Sequence, residues 1–237
     1  MLEATALTKD FGSHRALDAL DLRVDPGEIV CLLGANGAGK TTTINLFLGF
    51  LQPSSGVARV DGVDVRSDPL GTKRKLLYVP EQIALFGELS GRENLAYFAA
   101  LSGIVDRSPA YLRQCLAQAG LPESAMDRRA SGYSKGMRQK VGVALAIAKQ
   151  ARALLLDEPT SGLDPQASAE FHALIVRQRD AGAAVLMVTH DLFRAREVAT
   201  RIGLMRGGKL RRMIQAADIT ASQLESLYLE EMAHLVA

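Results

Sequence analysis

The run Gly34-Ala35-Asn36-Gly37-Ala38-Gly39-Lys40-Thr41-Thr42 sets glycines ahead of a lysine and a hydroxyl at fixed spacing. Glycines let the backbone curl so that successive N–H groups point into one hollow, and an anion seated there also meets the positive end of the helix that follows. Lys40 then reaches the terminal phosphates of a nucleotide, and the Thr41 hydroxyl is a ligand for Mg²⁺. This is the Walker A pattern, which requires a strand before it and a helix after it. Glu28 to Leu33 reads as that strand, and Thr42 to Leu48 has the helical pattern. A glycine-rich turn matching by accident would lack these flanks.

A second group stands at the end of the apolar run Ala153 to Leu156, where Asp157 and Glu158 follow in succession. Ligands of parallel sheets sit beyond the C-terminal ends of the strands, so this run predicts acid beside the phosphate loop. Asp157 can hold Mg²⁺ through water, and Glu158 can orient or deprotonate the water that attacks the γ-phosphate. The chemistry expected is phosphoryl transfer from a nucleotide with Mg²⁺.

These residues need a scaffold, and the hydropathy pattern supplies one. Residues 2–8, 18–24 and 28–33 read as strands, and Asp61-Gly62 within 57–65 marks a hairpin. From 91 to 150 apolar residues recur at helical spacing: Leu95, Phe98, Ala99 and Leu101, then Leu112, Cys115, Leu116 and Ala119. Beyond it, strands at Ala153 to Leu156 and Ala183 to Thr189 alternate with helices over 165–181 and 191–199, the order of a parallel sheet with crossover helices. Thr220 opens a Thr-x-x-Gln cap, and Leu224, Leu227, Met232 and Leu235 lie near one face of a final helix.

The expected fold is therefore α/β: a P-loop NTPase core of mainly parallel sheet flanked by helices, with an antiparallel β subdomain and an inserted α-helical subdomain. A single domain is expected over 1–237, with the nucleotide-binding core in 1–90 and 151–211, the helical insert in 91–150 and a C-terminal extension in 212–237.

Composition narrows the function. Lys and Arg exceed Asp and Glu by a net charge of only +2, which gives no polybasic face for nucleic acid or an anionic membrane. Cys31 and Cys115 make neither a disulfide framework nor a zinc set. The start Met1-Leu2-Glu3 reads as a strand rather than a leader, and the apolar runs, such as Val141 to Ala148, fall far short of the roughly 20 residues that span a bilayer. A cytoplasmic chain is expected, and any work at a membrane needs an anchor from elsewhere.

Tyr133-Ser134-Lys135-Gly136-Met137-Arg138-Gln139 stands between the two motifs, before a helix and the Asp157 strand. Here the sequence, from residue 2 to about 211, resembles the ATP-binding subunit of ABC transporters. The signature of that family is usually Leu-Ser-Gly-Gly-Gln; this chain keeps Ser134 and Gly136 and has Tyr133, Lys135 and Met137 at the other positions. The Tyr-Ser-Lys-Gly-Met form is similar to the subgroup serving ABC-2-type exporters. Ser161-Gly162-Leu163-Asp164 resembles the D-loop, His190 the switch histidine that contacts the γ-phosphate, and Phe11 the aromatic that stacks on adenine. Counted without gaps, the usual Q-loop glutamine aligns with Glu81, and Gln82 falls one residue later; either side chain could reach Mg²⁺ or the attacking water.

The resemblance implies an active site split between two cassettes, with Lys40, Thr41, Asp157, Glu158 and His190 from one and Ser134, Gly136 and Asp164 from its partner, which is a second copy of the chain or a homologous ATPase subunit. It also implies a separate membrane permease docked near residues 81–101, with Phe86, Leu89 and Leu95 as candidate contacts, and a place on the inner face of the cell membrane. A soluble ABC-type ATPase, a P-loop kinase, and an interaction module centred on the C-terminal helix are the competing readings.

Overall fold

The computed structural model describes residues 1–233. It is built on two sheets. Strands β1 (Leu2–Phe11) and β2 (His14–Val24) pair antiparallel, and β3 (Ile29–Leu33) then enters the second sheet. Helix α1 (Lys40–Phe47) follows directly on the glycine-rich run. Strands β4 (Ser55–Val60) and β5 (Val63–Asp64) form the expected hairpin, with Asp61 at φ 55° and Gly62 at φ 78°, the left-handed pair a tight two-residue turn needs. The first sheet has the order β2-β1-β4-β5.

Helix α2 (Pro69–Lys75) leads into β6 (Leu76–Val79). The insert follows as α3 (Gly91–Leu101), α4 (Pro109–Gln118), the short α5 (Glu123–Met126) and α6 (Lys135–Lys149). Ser90 and Glu93 start α3 as a reciprocal capping box. Leu95, Ala99, Leu112, Cys115, Leu116 and Ala119 are buried as their spacing predicts. Leu101 is not: it closes the last turn of α3, past the stripe that faces α6, and is 70% exposed.

The chain returns through β7 (Ala153–Asp157), α7 (Pro165–Asp180), β8 (Ala184–Thr189), α8 (Leu192–Val198), β9 (Arg201–Arg206), β10 (Lys209–Gln215) and α9 (Ala221–Ala233). The second sheet has the order β10-β9-β3-β8-β7-β6, parallel except for β10 against β9. Strand β10 crosses the boundary between residues 211 and 212 at which the sequence reading began the C-terminal extension. The Thr220 cap forms, since the Thr220 N–H donates to Gln223 Oε1 at 2.9 Å and the Gln223 N–H to Thr220 Oγ1 at 3.3 Å. Leu224 is buried and Leu227 packs on the same core, whereas Leu235 lies outside the described residues.

Strand β3 shows why this sheet sits at the centre. All of it is buried, and its residues alternate between two cores: Ile29, Cys31 and Leu33 pack with the helical insert and α7, while Val30 and Leu32 pack with α1 and the antiparallel sheet. A strand covered on both faces has no polar side to show, which is why it reads as a continuous apolar run. Burying such a side chain stabilises the fold by roughly 1.5–3 kcal/mol.

Candidate functional site

Because β3, β8, β7 and β6 run parallel as neighbours, their C-terminal ends meet along one edge of the sheet. Gly34 follows β3, Asp157 ends β7, Thr189 ends β8 and Pro80 follows β6, so residues far apart in sequence arrive at one place. A cavity of about 730 Å³ opens there. It is lined by Phe11, Asn36 to Thr42, Glu81, Gln82, Asp157 and Glu158 of the sequence-predicted residues, and also by His14, Ala16, Tyr78 and Pro80.

The loop is shaped by its glycines. Gly39 adopts φ 101°, and a Cβ added there would stand 2.7 Å from the Ala16 carbonyl oxygen, so a larger residue would be strained and would clash. Gly34 and Ala35 turn their carbonyls toward the lysine: Lys40 Nζ donates to Gly34 O at 2.6 Å and to Ala35 O at 3.2 Å. Burial pushes the Lys40 ammonium below its usual range, and the nearby Glu158 and Asp157 carboxylates oppose that fall.

Opposite the loop, the Thr41 hydroxyl lies 3.5 Å from Asp157 Oδ1 and the Tyr78 hydroxyl 3.5 Å from Asp157 Oδ2. Burial raises the Asp157 carboxyl, as does the neighbouring Glu158 charge, while Thr41, Lys40 and Tyr78 pull it back. Tyr78 is pushed up to about 12 by burial and by Asp157, and it therefore stays a neutral donor. Two hard oxygen donors, one at the end of the phosphate loop and one facing it, suit Mg²⁺, which takes few protein ligands and completes its shell with water and phosphate.

Glu158 is held more firmly than its sequence position suggests. Its backbone adopts φ 45°, in the left-handed region that side chains seldom occupy, and its N–H donates to the Val188 carbonyl at 2.9 Å. Its carboxylate accepts from Thr189 Oγ1 at 3.1 Å and faces His190 Nδ1 at 2.9 Å. Thr189 and Tyr78 were missed by the sequence reading. Their positions at the ends of β8 and β6 beside β7 were the available signal.

Phe11 is 46% exposed at the mouth of the cavity, with Lys9 Nζ 5.0 Å from its ring centroid. Ser134, Gly136 and Asp164 are not brought to this cavity. The Ser134 hydroxyl caps α6 by accepting from the Met137 N–H at 3.2 Å, and Asp164 caps α7 by accepting from the Ala167 N–H at 2.9 Å. Tyr133, in the signature run, is buried and its hydroxyl donates to the Ala125 carbonyl at 2.6 Å, fixing the start of α6 on the insert. Of the candidate permease contacts, Leu95 is fully buried core, whereas Phe86 is 48% exposed, meets Tyr97 edge to face and stacks with Phe98. Both cysteines are buried and free. Among the described residues no helix is long and apolar enough to cross a membrane.

Comparison with known proteins agrees with this geometry. The daunorubicin/doxorubicin resistance ATP-binding protein DrrA of Streptomyces peucetius is 36% identical over 229 residues, covering 95% of this chain and 67% of that protein. A solved ATP-binding subunit of an ABC transporter superposes with a TM-score of 0.85 at 29% identity, covering 98% of this chain and 99% of the other. The dimeric post-hydrolysis state of the ATP-binding cassette MJ0796, bound to ADP and Pi, superposes with a TM-score of 0.80 at 26% identity, covering 91% and 99%. The chain spans between 9% and 67% of the length of these curated relatives. The model of the ABC transporter family matches residues 17–161, more than half of the sequence and the whole of the phosphate loop, signature and Asp157-Glu158 motifs, so the chain belongs to the ABC transporter family as a nucleotide-binding ATPase cassette.

Proposed function

We propose that this chain is the ATP-hydrolysing subunit of an ABC transporter, acting as a pair of cassettes that drive export through a separate membrane permease, from the cytoplasmic face of the membrane. The observation that carries the pairing is the place of Ser134 and Gly136: they start α6 outside the cavity of their own chain, so a donor set complete around the γ-phosphate needs a second cassette. DrrA, a resistance ATP-binding protein, supports export as the direction.

Within one cassette the roles follow from position. The loop N–H groups from Asn36 to Thr41 and the Lys40 ammonium bind the phosphates, and Phe11 offers a ring face to adenine. Thr41 and Asp157 would hold Mg²⁺, with Glu81 or Gln82 completing the approach from the β6 side. When bound, the cation neutralises charge on the β- and γ-phosphate oxygens. Glu158, kept in place by Thr189 and His190, takes a proton from the attacking water. Ser134, Gly136 and Asp164 of a second copy close over the phosphates from the other side. Binding favours the closed pair, and loss of the γ-phosphate removes that preference, which gives the permease an opening and closing stroke. Phe86, just ahead of the insert, and Tyr97 within it stay exposed for the permease to touch.

The test is Glu158→Gln with Mg-ATP. The variant is expected to bind nucleotide, hydrolyse it poorly and run as a dimer by light scattering. A variant that stays monomeric at high concentration with nucleotide bound would overturn the pairing, and one that hydrolyses at the parent rate would remove Glu158 from its role.

A further inference from the structure

Two positions at which the chain departs from the family pattern meet in space. Glu81 stands where the loop glutamine is usual and Lys135 where the signature has its first glycine, and Lys135 Nζ lies 3.7 Å from Glu81 Oε1. The same ammonium donates to the carbonyl of Ser161, in the turn that follows Glu158. One turn along α6, Gln139 is 1% exposed and donates through Nε2 to the Glu81 carbonyl at 3.1 Å. At the next turn a Cβ on Gly142 would stand 2.4 Å from Ile83 Cδ1, so the glycine lets the end of the Ile83 side chain lie directly on the helix.

Positions 135, 139 and 142 share one face of a helix. Along that face α6 seats the segment from Pro80 to Ile83: the amide of Gln139 fixes the main chain at Glu81, and the lysine takes its carboxylate. A cation in the first turn of a helix meets the positive end of the helix dipole and is disfavoured. Lys135 offsets that cost with two oxygen partners, one of them a residue that lines the nucleotide cavity.

We propose that Lys135 is a positioning residue for Glu81, holding its carboxylate against α6 and neutralising it beside the path by which the phosphates of ATP enter. The inference rests on reading the cavity as the ATP site. Without the cation the carboxylate is free to swing into the cavity and repel an incoming polyanion. Because one cation joins the loop after β6 to the first turn of α6 and to Ser161, a shift of Glu81 toward bound nucleotide also acts on the signature turn.

The experiment measures the dissociation constant of mant-ATP with the full chain in EDTA, for the parent, Lys135→Ala, Lys135→Met, Lys135→Arg, Glu81→Gln and the double variant Glu81→Gln/Lys135→Ala. Loss of the ammonium is expected to weaken binding about threefold to fivefold, the size of a half-exposed ion pair. Lys135→Met keeps the stem and should match Lys135→Ala, and Lys135→Arg should restore binding. The loss should shrink by more than half when Glu81 is already Gln, and it should shrink at high salt. An equal loss in both Glu81 backgrounds would reveal a plain effect of one removed charge and overturn the proposal, while leaving the cavity as the ATP site. A parent chain that binds no mant-ATP would overturn the reading of the cavity and this inference together.

Discussion

Glu158 Oε1 and His190 Nδ1 lie 2.9 Å apart at the ends of neighbouring strands, the carboxylate 18% exposed and the imidazole 67% exposed. The contact gives the histidine a task within its own chain. With the Thr189 hydroxyl on the other oxygen, it fixes the rotamer of a carboxylate whose backbone is already held in the left-handed region at φ 45°. A base oriented before substrate arrives needs no reorganisation during the reaction.

His190→Ala is therefore expected to lower kcat by about 10²-fold, the cost of removing one preorganised partner. The KM for ATP should change little, because the phosphate loop and Lys40 are untouched. Steady-state hydrolysis with saturating Mg-ATP checks this. A variant whose KM rises while kcat stays at the parent value would place His190 in nucleotide binding instead.

Gly39→Ala should fail for a backbone reason. At φ 101° a side chain is strained, and the new Cβ would meet the Ala16 carbonyl oxygen at 2.7 Å. A loss of about 1–3 kcal/mol in stability is expected for a residue forced into such a conformation, together with loss of ATP binding as the loop opens. Denaturant melting alongside mant-ATP titration would show both; a variant as stable as the parent, with normal binding, would mean the loop tolerates a side chain.

Glu81 and Gln82 both line the cavity, yet Glu81 alone has a main-chain and a side-chain anchor to α6 in Gln139 and Lys135. Hydrolysis should fall by at least about tenfold in Glu81→Ala, a small effect beside the 10²–10⁴-fold of a general base, and stay near the parent rate in Gln82→Ala. The reverse order would move the approach to the γ-phosphate to Gln82.

The parts of this site that were readable in the sequence are those whose logic is local. Gly34 to Thr41 is a contiguous motif, and β3, β7 and β8 announce themselves as apolar runs because both faces are covered. What stayed hidden depends on partners. Strand β10 lies at the sheet edge, with Arg211 and Arg212 exposed, and it shows no apolar run. Strand β6 spans only Leu76–Val79, and Tyr78 gains its meaning from the parallel pairing that sets it beside Asp157. Lys135 reads as a solvated helix start until the fold sets Glu81 and Ser161 against it.

His172 offers a test by pH. It is 5% exposed on α7, and among the described residues neither ring nitrogen has a hydrogen-bond partner. Burial pushes its pKa below the ordinary value and the Arg194 charge adds to the fall, against weaker opposition from Glu197 and Asp191. The folded chain thus keeps His172 neutral while the unfolded chain takes up a proton as pH falls below about 6.5. In that window the unfolded state binds more protons, so the contribution of His172 to stability declines as pH drops from the ordinary value toward the folded one. His172→Leu removes the titration and the unpartnered polar ring. Its Tm should fall less than that of the parent between about pH 7.5 and pH 5.5, where an unperturbed histidine changes charge. Equal losses in the two proteins would mean that His172 finds a partner in solution and titrates there as it does in the unfolded chain.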